Sequence, residues 1–348
     1  MEVLMEKLLT VVVPSYNVEK YLEETLESFV IPEIMDDLEV LIVNDGSKDR
    51  TPEIGAAYEK RYPQTFRLIS KENGGHGSTI NRGIEEAKGT YFKVVDGDDW
   101  VDRGGFTELL HRLKTSGADY VVTDYYKVND GTKEKKLETF PYLKAHPKCR
   151  FEVVVGNTDI LMHALVIRTA ILKENGIRLD EHCFYVDNEY ITFPVPFVET
   201  VEYYEIPVYM YRLAQATQSV SMQGFRKHLP DHVKVTMRLV QFAAKYSEMS
   251  EENKETSPAQ KKKAEYLNNR AAVMVGDQAG IFASFPGGNE EIRRQFLAFD
   301  AEVKKTSEEI YRLSGEKSHM LAALRKRNFK GYRFWTWVSR VRAKVRKV

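Results

Sequence analysis

The chain has 348 residues, 43% hydrophobic and 29% charged, with 51 basic and 51 acidic side chains. That length holds one large domain, or a catalytic domain with an appendage, and the composition is that of an ordinary globular protein. It excludes a bilayer-spanning chain, because no apolar run approaches the ~20 residues required, and the two cysteines, Cys149 and Cys183, exclude a disulfide framework or a zinc site.

The even charge balance conceals an asymmetry. Residues 321–348 hold ten Lys and Arg and no acid, which leaves an acidic body with a basic tail that suits an anionic partner. The start, Met1 to Lys7, carries acids where a signal peptide has basic residues, so a leader is not expected there. The cysteines are expected to stay reduced in a cytoplasm.

In chain order, Leu8–Val13 is an apolar run stopped by Pro14 and reads as a buried strand. Asn17 is placed to cap a helix over 18–30. Leu38–Val43 is a second strand, and Thr51 with Pro52 opens a helix to Arg61. Phe66–Ser70 is a third strand. The loop Asn73–Gly77 leads into a helix over 78–87, and Tyr91–Val95 is a fourth strand. A helix over 104–116 and a strand over 118–126 follow.

Strands alternating with helices at this spacing predict an α/β fold, a mostly parallel sheet with helices on both faces. Ligands of such sheets bind beyond the carboxyl ends of the strands. Four polar clusters fall at those ends: Pro14–Asn17, Asn44–Ser47, Lys71–Gly77 and Asp96–Asp99. Their convergence marks a site.

Beyond 130, residues 131–155 are charged and irregular, and 158–175 carries a helical apolar stripe. Residues 201–206 and 208–212 read as a strand pair. From 225 the pattern is helical, over 225–247, 258–283 and 289–314, with a polar connection at 247–263. The expected divisions are 1–222 (halves 1–126 and 127–222), a helical region 223–320 and a basic amphipathic tail 321–348.

The cluster Asp96, Asp98 and Asp99 can be read in two ways. Close carboxylates repel and raise one another's pKa, which a divalent cation with substrate phosphates would relieve. An acidic turn after a strand is the other reading. There is no G-x-G-x-x-G in the first turn and no P-loop, so a nucleotide with two phosphates suits this edge better than a dinucleotide.

At this point the residues resemble glycosyltransferase family 2, nucleotide-diphospho-sugar transferases of GT-A fold. Thr10–Asn17 resembles that family's opening strand and turn, and Val40–Asp49 its second strand and nucleotide loop. Asn73-Gly74-Gly75 with Asn81–Ile84 resembles its glycine and asparagine segment, and Asp96-Gly97-Asp98-Asp99 its D-x-D motif. The resemblance is specific over 8–110, weaker to 222, and absent from the helical part.

It implies a nucleotide-sugar site drawn from Pro14, Tyr16 and Asn17, from Asp45 against the base, and from Asn73, Gly74, His76 and Asn81. Asp96 and Gly97, with a closing motif of Tyr211-Arg212 and Gln218–Ser221, would complete it. Asp96, Asp98 and Asp99 would hold Mn²⁺ or Mg²⁺. The family's Glu-Asp pair corresponds here to Val186-Asp187, so Asp187 would be the general base of an inverting transfer, with Glu189 a rival. Trp100 is expected beneath the metal loop, and His163 and His182 in plain structural positions.

The activity implied is transfer of a sugar from a UDP-sugar to a hydroxyl of a saccharide or lipid-linked acceptor in bacterial cell-surface polysaccharide synthesis. In the tail, Phe334, Val338, Val341, Val345 and Val348 form a stripe flanked by Trp335 and Trp337, the pattern of an interfacial helix on anionic lipid. Residues 325–348 are therefore expected to meet an anionic membrane at the inner face of the cell membrane, and no nucleic acid is expected. Two other readings stay open: a nucleotidyltransferase making sugar nucleotides, which would need a Gly-rich basic first loop, and a non-catalytic saccharide- or nucleotide-binding protein.

Overall fold

The computed structural model describes residues 7–213, 221–252 and 257–345, and the chain divides into two compact units, Met1–Ala216 and Thr217–Val348. The first unit is built on one sheet. Strands β1 (Leu9–Ser15), β2 (Leu38–Asn44), β3 (Phe66–Ser70) and β4 (Tyr91–Val94) lie parallel in the order β3-β2-β1-β4. Every residue of β1 and β2 is buried. Helices on both faces account for that, and it is why the two strands read as unbroken apolar runs instead of alternating ones.

Beyond β4 the sheet is mixed. It continues through β5 (Trp100–Val101), β6 (Tyr120–Asn129), β7 (Lys135–Glu138), β8 (Lys148–Arg150), β9 (Leu165–Arg168) and β10 (Thr200–Leu213). β9 is inserted antiparallel between β4 and β6, while β10 runs parallel to β6 and antiparallel to β5. The helices of this unit are α1 (Leu22–Glu27), α2 (Thr51–Arg61), α3 (His76–Glu86), α4 (Arg103–Leu113), α5 (Pro141–Ala145), α6 (Thr169–Glu174) and α7 (Asp187–Thr192).

Four expectations change. The helix over 18–30 is only Leu22–Glu27, because Asn17 does not cap it: Asn17 sits at φ 53°, and its side-chain oxygen accepts the Lys48 N–H at 2.8 Å. The apolar stripe at 158–175 is a turn, β9 and α6, with Leu165, Val166 and Ile167 wholly buried inside the sheet. A short apolar run reads the same in a buried strand as in a buried helix. Residues 131–155 contain β7, α5 and β8. The strand pair over 201–212 is the single strand β10, whose register shifts on both sides of Pro207, a residue with no N–H for the ladder.

The second unit comprises α8 (Met222–Lys227), α9 (Leu229–Glu252), α10 (Pro258–Ser284), α11 (Glu290–Thr306), α12 (Glu308–Lys317), α13 (His319–Lys326) and α14 (Tyr332–Val345). α10 opens with a capping box between Ser257 and Gln260 and Pro258 in its first turn. The helix expected over 289–314 is broken at Ser307, whose hydroxyl accepts the Ile310 N–H and starts α12. Of the expected connection 247–263, residues 253–256 lie outside the described residues. Phe282 stacks on Phe296 at 4.9 Å, and Phe299, Phe329 and Tyr332 complete this core.

The start of the basic tail is part of that packing. The Arg325 guanidinium pairs with Asp300 at 2.8 Å and lies 3.5 Å from the Tyr311 ring centre. The Tyr332 hydroxyl donates to the Phe282 carbonyl at 3.3 Å, and Thr336 is buried one turn later. Phe334 and Trp337, on the other side of α14, are 59% and 62% exposed. The side chains of Val341 and Val345, and residue Val348, lie outside the described residues. Among the described residues no helix is long and apolar enough to cross a membrane.

Candidate active site

The parallel order β3-β2-β1-β4 carries the four polar loops to one edge. Asp45, just after β2, is buried and accepts from the Gly74 and Gly75 main-chain N–H groups at 2.9 and 2.8 Å. It also accepts from Lys71 Nζ at 2.9 Å, Asn73 Nδ2 at 3.1 Å and the Ser78 hydroxyl at 3.3 Å. A carboxylate with that many donors organises the Lys71–Ser78 loop. Pro14 is buried at the end of β1, and Tyr16 and Asn17 are exposed beside it; the Asn17 N–H donates to the Ser47 hydroxyl at 3.0 Å.

The carboxylate loop after β4 is held from three sides. The Gly97 N–H donates to the Pro14 carbonyl at 3.1 Å, and a Cβ at Gly97 would stand 2.8 Å from that oxygen, so only glycine lets the loop approach β1. The Thr25 hydroxyl donates to the Gly97 and Asp99 carbonyls at 3.1 and 2.6 Å. From β10, the Tyr209 hydroxyl donates to Asp99 Oδ2 and the Arg212 N–H to Asp99 Oδ1, both at 2.6 Å.

Asp99 is therefore turned inward with both oxygens engaged, and burial, then the charges of Asp98 and Asp96, pushes its carboxyl well above the usual range. It anchors the loop. Asp96 and Asp98 are half-buried at the site edge. Asp96 Oδ1 lies 2.8 Å from His76 Nε2. Burial would raise Asp96, but the His76 charge and hydrogen bond outweigh it and hold the carboxyl below its usual range. In His76, burial is likewise outweighed, by Asp96 first and then by Asp187 and Asp98, and the imidazole is raised.

Arg212, expected over the diphosphate, is built into the carboxylate loop. It is 2% exposed. Its Nε donates to the Asp98 carbonyl at 2.6 Å, its two terminal nitrogens to Asp130 and Glu24 at 2.8 and 2.7 Å, and its plane lies between the Tyr21 and Trp100 rings. Trp100 thus packs against the arginine that holds the loop. Of the closing motif, Gln218 to Val220 lie outside the described residues.

Asn81 also serves the scaffold. It is buried, exchanging hydrogen bonds with the Leu179 main chain (2.9 Å each way) and donating to Glu181 at 3.1 Å. The His182 N–H donates to the Gly74 carbonyl at 2.5 Å, and at Gly77 a Cβ would overlap the Asp180 carbonyl oxygen, 2.0 Å away. These contacts fasten the 178–186 loop to the glycine loop, and α7 begins directly after it at Asp187.

The two candidate bases separate by burial. Glu189 is wholly buried and accepts the Asp180 N–H at 2.7 Å, which ties it to the 178–186 loop. Val186, where the family has a glutamate, is buried as well. Asp187 is half-buried, and its charge reaches both His76 and Tyr211. Burial, then Asp99, Asp96, Asp187 and Asp98, raises the Tyr211 phenol, so that ring feels the carboxylates of both halves of the site.

Sequence reasoning missed Tyr209 and Lys93. Tyr209 and Tyr211 stand two apart on one strand and so share a face, a legible signal. Lys93 is a lysine inside an apolar strand; it is wholly buried, donates to the His163 and Leu165 carbonyls at 2.8 and 3.3 Å, and burial pulls it down to about 7.

Among the described residues, no group of three His, Cys, Asp or Glu side chains could by itself hold a metal ion. A hard cation that keeps waters and shares a substrate's phosphates needs only one or two protein carboxylates. Asp96 and Asp98, both part-exposed in the loop after β4, fit that demand.

Residues 10–176 match the family model described as glycosyl transferase family 2. Among curated relatives, an uncharacterized glycosyltransferase, EpsJ of Bacillus subtilis, is 40% identical over 142 residues, 41% of this chain and 40% of that protein. The minor teichoic acid biosynthesis protein GgaB of the same organism is 37% identical over 179 residues, 50% of this chain and 19% of that protein. The chain thus spans less than half the length of either. Among solved structures, S. aureus TarS 1–349 in complex with UDP-GlcNAc superposes with a TM-score of 0.63 at 19% identity, covering 96% of this chain and 91% of that one. Residues 10–176, just under half of the chain, are thus similar to glycosyl transferase family 2, and the fold is of the GT-A kind.

Proposed function

We propose that this chain transfers a sugar from a UDP-sugar to a hydroxyl of a saccharide or lipid-linked acceptor, by one inverting displacement that depends on Mn²⁺ or Mg²⁺. The carrying observation is that the glycine loop held by Asp45 meets both the carboxylate loop, through His76 and Asp96, and the 178–186 loop, through the His182 N–H on the Gly74 carbonyl, directly before Asp187. A base and a diphosphate end need that adjacency. That TarS holds UDP-GlcNAc supports a UDP-sugar donor.

Asp187 takes the proton of the acceptor hydroxyl as that oxygen attacks the anomeric carbon. The bond to the diphosphate breaks on the opposite face, so the carbon inverts without a covalent intermediate. His76, held by Asp96, opens α3 beside the loop that faces the diphosphate and donates to it. When bound, a divalent cation on Asp96 and Asp98 would neutralise charge on the departing UDP. Asp45 sets the loop around the base.

The acceptor belongs to cell-surface polymer synthesis, a reading supported by the name of GgaB. The exposed Phe334 and Trp337, beside the basic residues Lys326, Arg327, Lys330 and Arg333, support peripheral association of the tail with an anionic membrane on its inner face.

A panel of nucleotide-sugars with Mn²⁺ or Mg²⁺, read by thermal stabilisation and slow donor hydrolysis, tests the reading. A UDP-sugar is expected to stabilise the protein in a metal-dependent way. Stabilisation by none of them overturns it.

A further inference from the structure

β10 sets Tyr209 and Tyr211 on one face of the sheet, and on the neighbouring strand Tyr125 is the direct register partner of Tyr209. A fourth ring closes this cluster from outside the sheet. His163, in the turn Met162–Ala164 before β9, lies 4.0 Å from the Tyr211 ring at 31°, stacks on Tyr125 at 5.4 Å and meets Tyr209 edge-on at 5.0 Å. The turn itself is pinned, because its His163 carbonyl accepts from the buried Lys93 ammonium.

These contacts have a consequence at the site. Tyr125 and Tyr209 are buried, whereas Tyr211 and His163 are part-exposed. Tyr211 also adjoins the carboxylate loop, because the N–H of the next residue, Arg212, donates to Asp99 Oδ1 at 2.6 Å. A phenol ring backed on one side by another aromatic cannot rotate away, and its outer face stays presented. Burial pulls the His163 imidazole down to about 4, so it is neutral at working pH and acts as a flat ring, not a cation.

We infer that His163 is a positioning residue that holds Tyr211 as a stacking platform for a pyranose ring beside the carboxylate loop. The inference rests on the glycosyltransferase reading. It adds to it a residue lying outside every motif the sequence displays. The axial C–H face of a pyranose matches an aromatic face, and the neighbouring carboxylates would accept its hydroxyls.

The test compares the full chain with His163→Ala and His163→Phe, using UDP and the UDP-sugar that stabilises the parent. UDP is the internal control because it lacks the transferred pyranose. With His163→Ala, the preference for UDP-sugar over UDP is expected to fall about fivefold to tenfold, UDP affinity staying within twofold. His163→Phe keeps a ring behind Tyr211 and is expected to restore the preference, which a general loss of fold would not allow. An unchanged preference with an acceptor KM raised by a similar factor assigns the platform to the acceptor's pyranose. An unchanged preference with an unchanged acceptor KM overturns the inference. Failure of the parent to bind any UDP-sugar overturns the underlying reading and is seen before either variant is made.

Discussion

The Tyr209 hydroxyl donates to Asp99 Oδ2 at 2.6 Å and accepts the Asp96 N–H at 3.2 Å, so one side chain of β10 holds both ends of the carboxylate loop. Tyr209→Phe keeps the ring and removes only those bonds. Leaving a buried carboxyl short of a donor costs about 1–3 kcal/mol, and urea unfolding is expected to show a loss of that size. Metal-dependent UDP binding is expected to weaken with it. An unchanged midpoint and unchanged binding would show that the loop does not need the tether.

Asp98 and Asp187 are expected to fail in different ways. On the proposed assignment, Asp98→Asn replaces a charged carboxylate ligand by a neutral amide and should abolish the metal-dependent part of UDP binding. Asp187→Asn leaves the nucleotide half intact, so binding persists while transfer falls by about 10²–10⁴-fold, the usual worth of a general base. Calorimetry with UDP beside an acceptor assay separates the two, and loss of UDP binding in Asp187→Asn would contradict the assignment.

Lys93 gives the pH dependence a sign. Burial lowers its folded value to about 7, below the ~10.4 of an unfolded lysine, so between those values the unfolded chain binds more protons. Stability contributed by this group therefore rises as pH goes from 7 towards 10, by up to about 1.4 kcal/mol per unit. In Lys93→Met that part of the slope disappears. Urea titrations at pH 7, 8 and 9 measure it, and equal slopes in both proteins would refute it.

The tail is tested with vesicles. The parent is expected to co-sediment with phosphatidylglycerol vesicles and not with phosphatidylcholine, and to be released by salt, as basic interfacial helices are. Replacing Phe334 and Trp337 together by Ala should abolish binding without changing thermal stability, since both are exposed. Arg325→Gln should instead lower stability, because Arg325 is bound to Asp300 and Tyr311 within its own unit. Equal sedimentation of parent and double variant would dismiss the membrane reading.

Much of the nucleotide half was legible in sequence because its signals are local. An apolar run, its length and the polar loop after it specify β1 to β4 and their carboxyl ends without reference to distant residues. The stripe at 158–175 misled because burial on all sides erases the difference between a 3.6 and a 2.0 period. Asn17 was read as a helix cap, yet its partners, Ser47 and Lys48, are 30 and 31 residues away.

Within the site, residue type identified the carboxylates but not their tasks. Asp99, Arg212 and Asn81 carry motif positions, and the structure spends all three on holding loops. By itself the sequence determined the strands of the nucleotide half and the four polar loops at their ends, and its family resemblance supplied Asp187 as a candidate base. Only the tertiary structure decided which carboxylates face the site and which are buried. It also decided that Glu189 lies in the core, and that His163 backs Tyr211. Burial and partnership depend on residues far apart in the chain, and side chains of the same type are alike until the fold sets what surrounds each of them.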